Sequence, residues 1–123
     1  MTLEELYAQI GGDYNEALNR MRMEKLIGRF IVKFLDDTTC KDLVEAWERG
    51  DETAAFEAAH SAKGVCMNLA LPKLGEPADK ITEALRPGND ALRQSTDVDS
   101  LVKELASAYE VTIAGIRAYA DAQ

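Results

Sequence analysis

The chain has 123 residues, enough for one domain with a single sizeable core. Apolar residues make up 46% of it, which excludes a low-complexity polymer, and a formal net charge of −8 argues against a nucleic-acid backbone or an anionic membrane as partner. Cys40 and Cys66 are too few and too far apart for a disulfide framework or a metal knuckle.

No apolar run reaches transmembrane length, and Met1-Thr2-Leu3-Glu4-Glu5 lacks the apolar core of a secretory leader. A reduced, cytoplasmic protein is the expectation. The start at Met1 leans toward a free-standing protein.

Thr2 with Glu5 makes a capping box that opens a short helix to about residue 10, and Gly11-Gly12 ends it. Asp13 caps a second segment, 14 to about 20. Residues 1–20 are expected to lie as a cap across one end of a bundle. From 23 to about 36, Leu26, Ile27, Phe30, Ile31 and Phe34 recur at the three-and-four spacing of one apolar face. That pattern predicts a core helix with both phenylalanines inside.

After the turn at Asp36–Thr39, a helix to about residue 49 carries Leu43, Val44 and Trp47 and is expected to flank the bundle. Gly50 terminates it, and Asp51 caps a helix over 51–69. Pro72 can open the next turn. Pro77 lacks an N–H, which predicts a break or kink between Lys73 and Pro77 and a helix from 77 to about 86. Residues 86–96 are the longest expected loop, though Ala91, Leu92 and Arg93 could form one helical turn. Asp97 or Asp99 caps a last helix to near Asp121, with Leu101, Leu105, Ala108, Thr112 and Ile116 on one stripe.

No strand pattern occurs. The expected fold is all-α: an antiparallel up-and-down four-helix bundle of segments 23–36, 51–69, 77–86 and 99–121, with short additional N-terminal helices. One domain spans 1–123, with the bundle over 23–121.

The only histidine lies on the 51–69 helix. At roughly 100° per residue, Ala55, Ala59, Ala62, Cys66 and Leu69 form the buried stripe. His60 points well away from it, sideways or outward. Phe56, Lys63, Gly64 and Met67 stand one turn around it, with Thr53 and Glu57 further down the same side. Glycine inside a helix costs about 1 kcal/mol relative to alanine, so something else must favour Gly64. It leaves the imidazole uncrowded, and Lys63 can reach the same space. Two readings compete. One is a solvated surface histidine with no task. The other is a phosphoryl carrier, because a neutral imidazole nitrogen is a nucleophile and a compact ammonium offsets phosphoryl charge.

His60-Ser61-Ala62-Lys63-Gly64, continued by Asn68-Leu69 and Leu74, resembles the H-x-x-K-G pattern of histidine-containing phosphotransfer (HPt) domains. The resemblance runs from about Leu26 to Leu85. Two departures are Ala70, where the family often has glycine, and Pro77, where its next helix usually runs on smoothly. The resemblance implies a phosphorelay protein whose exposed His60 takes a phosphoryl group from the aspartate of a receiver domain, or gives it to one. The receiver would belong to a response regulator or a hybrid histidine kinase. It also suggests the outer ring nitrogen, Nε2, as acceptor. Lys63 would stabilise phosphoryl charge and Gly64 would give access. Phe56, Met67, Glu57 and Thr53 would meet the partner.

No Walker-type or dinucleotide-type glycine loop is present, so no ATP site and no enzyme activity of its own are expected. One histidine and no close cysteine pair predict no metal site, so Mg²⁺ is expected only in the partner receiver. A monomer is expected. The alternative function is a helical adaptor, or degenerate HPt domain, that binds a signalling partner without phosphotransfer.

Overall fold

Four of the eight α-helices open on a capping side chain in the computed structural model, which describes all residues 1–123. The Thr2 hydroxyl accepts from the Glu5 N–H at 3.1 Å and the Glu5 carboxylate accepts from the Thr2 N–H at 2.7 Å, opening α1, Leu3–Ile10. Asp13 caps α2, Tyr14–Met21, by accepting from Glu16 N–H at 3.0 Å. Arg22 then takes φ +70, a left-handed residue that turns the chain sharply into α3, Glu24–Lys33. A 3₁₀ turn, Phe34–Asp36, leads to α4, Thr39–Glu48. Asp51 caps α5, Glu52–Asn68, through the Ala54 N–H at 3.0 Å. Next come α6, Pro72–Leu85, and a six-residue α7, Asp90–Ser95. Asp97 caps α8, Val98–Asp121, by accepting from Ser100 N–H at 3.1 Å. There is no strand.

Specific contacts fix the helix directions. Lys63 pairs with Asp79, Met67 lies against Gly75, and Arg86 stacks over Phe56, so positions on α6 fall as those on α5 rise. The two helices are antiparallel. Cys40 lies beside Cys66, and Asp51 N–H donates to Ala46 O at 2.9 Å, which sets α4 antiparallel to α5. Trp47 Nε1 donates to Asp99 at 3.2 Å, while the Phe34 ring meets Tyr109 edge-on at 6.2 Å. α8 therefore runs opposite to α4, and so opposite to α6.

The bundle proper is α4, α5, α6 and α8, with each helix between two of the others. Segment 39–49, expected at a flank, is a member. Segment 23–36, expected as a core helix, packs instead on α2, the 3₁₀ turn and α8. Side-chain size explains the exchange. Cys40, Leu43 and Ala46 are small or slender and let α4 approach the alanine stripe of α5, where Ala55, Ala59 and Ala62 are fully buried. α3 buries Ile27 and Ile31 but leaves Phe30 44% and Met23 53% exposed. Phe30 is therefore not a core residue, contrary to the periodicity.

α6 runs unbroken through Pro77, which overturns the expected break. Proline forfeits one intrahelical bond, to the Lys73 carbonyl. Leu74, Ala78 and Ile81, all fully buried, hold the helix on the core on both sides of it. The expected loop over 86–96 contains α7, whose Arg93 donates to Glu52 at 2.9 and 3.1 Å and stacks over Trp47.

The N-terminal helices are tied to the C-terminal end of α5. Tyr7 OH donates to Leu69 O at 2.8 Å, and Asp13 N–H donates to Ala70 O at 2.9 Å. Ala70 sits at φ +57, the left-handed conformation that explains glycine at this place in the family pattern. A non-glycine residue there costs about 1 kcal/mol, offset here by burial of Ala70 and by the bond its carbonyl accepts. No helix is long and apolar enough to cross a membrane.

Candidate functional site

α5 presents one side to the bundle and the opposite side to solvent. Ala55, Ala59, Ala62 and Cys66 are completely buried, and this forces His60 outward, where it is exposed. The Phe56 ring, one turn earlier and half-buried, lies nearly parallel to the imidazole, with planes 17° apart and centroids 6.4 Å apart. The Arg86 guanidinium, from the end of α6, stands 5.5 Å from the Phe56 centroid. Glu83 accepts from Arg86 at 2.8 and 3.3 Å, and this bond holds the Glu83 carboxyl below the usual carboxylate range.

Gly64 faces open space. A Cβ built on it would meet nothing within 4 Å. Packing inside the chain therefore does not require glycine here, although glycine costs the helix about 1 kcal/mol relative to alanine.

Lys63 does not stand free beside the imidazole. Its Nζ lies 2.7 Å from Asp79 Oδ1 on α6. Met67 is half-buried and rests its sulfur on Gly75, where an added Cβ would fall 3.1 Å from Sδ. Thr53 and Glu57 are exposed on the His60 side. The spacing on α5 thus brings Phe56, His60 and Gly64 onto one open face, draws Lys63 and Met67 toward α6, and leaves Thr53 and Glu57 at the rim. Asp79 and Arg86 were not foreseen. Their place depends on the antiparallel register of α5 against α6, which local spacing does not carry.

The Cys66 thiol does not compete as a nucleophile. The hydrogen bond to Cys40, then burial, push the Cys66 thiol far above its ordinary range, so it stays protonated. No group of three His, Cys, Asp or Glu side chains is placed to hold a metal ion.

A helical bundle that holds one imidazole in solvent, with a parallel aromatic ring and a bare glycine beside it, leaves a ring nucleophile open to a partner. The model of the Hpt domain matches residues 31–112, more than half of the chain, and the protein belongs to this family. No curated protein and no solved structure matches it. Hpt domains are phosphocarriers without an ATP site of their own and work with receiver domains in phosphorelays. The matched segment takes in all of α5 and α6 and leaves α1, α2 and most of α3 outside.

Proposed function

We propose that this protein carries a phosphoryl group on His60, accepting it from the aspartate of a receiver domain and donating it to one. The observation that carries the reading is the solvent-facing imidazole with unoccupied space at Gly64. The receiver docks over Phe56, His60, Gly64 and Met67. The apolar members exclude water and orient the two reactants, so transfer becomes a first-order step within the complex.

A ring nitrogen of His60 attacks phosphorus in line, opposite the aspartate oxygen. The N–P bond forms as the O–P bond of the acyl phosphate breaks. The electron pair stays on the aspartate carboxylate, and the other ring nitrogen keeps its proton. Lys63 leaves Asp79 and swings to the phosphoryl oxygens, a short movement for a flexible four-carbon stem. Thr53 and Glu57 form the polar rim of the docked face. Mg²⁺ acts from the receiver, and this chain contributes no cofactor. It works as a monomer in the cytoplasm.

The test is incubation with a receiver domain phosphorylated by acetyl phosphate. Acid-labile label should appear on the protein and be absent from His60→Gln, with the helical circular dichroism of that variant intact. Acid-stable label, or label retained by His60→Gln, refutes the assignment. The adaptor reading draws on one observation, that Lys63 is already engaged by Asp79. Tight receiver binding with no label transferred would favour it.

A further inference from the structure

Two crossings fix how α5 and α6 face one another around His60. Lys63 meets Asp79, with Nζ 2.7 Å from Oδ1, and Phe56 meets Arg86, whose guanidinium carbon is 5.5 Å from the ring centroid. His60 lies between Phe56 and Lys63 on α5, so this seam places one cation before it and another after it along the helix axis. Lys63 belongs to α5 itself. Arg86 comes from the facing helix, at the residue that ends α6.

Each cation is held by a carboxylate of α6. Asp79 holds Lys63. Glu83 holds Arg86: Oε1 accepts from Nε at 3.3 Å and Oε2 accepts from Nη2 at 2.8 Å. The Glu83–Arg86 bond closes within one turn of α6 and both side chains are well exposed, so it does little to join α6 to α5. It occupies part of the guanidinium fork and leaves the remaining N–H donors without a partner in the chain. Phe56 is the shared neighbour. Arg86 stands over its ring, and the imidazole lies nearly parallel to it.

We propose that Arg86 is a second phosphoryl-binding residue for His60, lent by α6 and kept in check by Glu83. The proposal rests on the phosphotransfer reading. A phosphoryl group on the imidazole brings nearly two negative charges to a seam where Lys63, Asp79, Glu83 and Arg86 otherwise cancel. A guanidinium suits that group, because its planar fork matches two phosphoryl oxygens at once. The Arg86 side chain swings across the Phe56 face and exchanges a Glu83 oxygen for a phosphoryl oxygen. It makes and breaks no bond to phosphorus. In the unphosphorylated chain Glu83 keeps the fork engaged, so free anions compete poorly for the place beside His60.

The experiment labels the full chain with phosphoramidate, whose P–N bond breaks as the His60 N–P bond forms and whose nitrogen leaves as ammonia. Phosphorus NMR then follows the pH titration of the phosphoryl group on His60. A guanidinium in contact favours the dianion, so Arg86→Ala should raise the titration midpoint by about half a pH unit or more. That rise should be larger in the Glu83→Gln background, where the guanidinium has no competing carboxylate. In the wild-type chain the Arg86 Nε–H resonance should move on labelling, a readout that needs no variant to fold. An unmoved midpoint in Arg86→Ala, or an unmoved Nε–H resonance, overturns the proposal. An equal rise with and without Glu83 overturns the restraint assigned to that carboxylate. Failure of phosphoramidate to label the wild-type chain overturns the phosphotransfer reading instead.

Discussion

Lys63 and Asp79 hold one another across the α5–α6 contact, with Nζ 2.7 Å from Oδ1. The two side chains are 34% and 41% exposed, so solvent screens the pair and its contribution to stability is below about 1 kcal/mol. The ammonium three residues along α5 from His60 is thus already paired with a carboxylate.

Asp79→Asn should therefore free Lys63 and raise the rate of phosphoryl uptake from a receiver several-fold, with the melting temperature nearly unchanged. Lys63→Ala should slow uptake about ten-fold, the scale of one lost charge contact of roughly 1.4 kcal/mol. Single-turnover transfer and thermal melts on the same samples check both. If Lys63→Ala lowers the melting temperature and leaves the rate alone, the lysine is a strut between two helices and nothing more.

Much of this site was legible because α5 obeys simple rules. Its cap, its alanine stripe and its single imidazole on the opposite side are all set by periodicity, and burial of Ala55, Ala59 and Ala62 follows the pattern. The neighbours of α5 were not legible in the same way. Periodicity states which side of a helix is apolar, not which helix covers it. The richer apolar pattern of α3 suggested a bundle member, but the slimmer face of α4 fits the alanines, and Phe30 is left outside. Pro77 follows the same logic: a local rule predicted a break, and the burial of Leu74, Ala78 and Ile81 overrides it. Asp79 and Arg86 belong to the site only through the register between two helices, which no short stretch of sequence states.

Gly64 separates folding from function with two substitutions. A methyl group there meets nothing within 4 Å, so Gly64→Ala should stabilise the protein by about 0.5–1 kcal/mol in urea unfolding. Gly64→Arg should fold as well and transfer phosphoryl groups from a receiver at least ten-fold more slowly, because its side chain fills the approach to His60. Labelling by phosphoramidate, a much smaller donor, should suffer less. A normal receiver rate in Gly64→Arg would remove access as the reason for the glycine.

The same buried groups that keep the core neutral set an alkaline limit. Burial pushes the Tyr7 hydroxyl above its ordinary value of 10.0, and the Cys40 hydrogen bond with burial pushes the Cys66 thiol above its ordinary 9.0. Both groups are protonated in the folded chain at pH values where the unfolded chain has lost those protons. Stability is then fully present below about pH 9 and falls as pH rises through the ordinary thiol and phenol range, since the unfolded state binds fewer protons there. Urea midpoints should hold steady from pH 7 to 8.5 and drop by pH 10.5. Cys66→Ala should shrink the part of that drop that begins near pH 9 and leave the later, phenolic part in place. A full drop starting at the same pH in Cys66→Ala would acquit this thiol as the source of the early part.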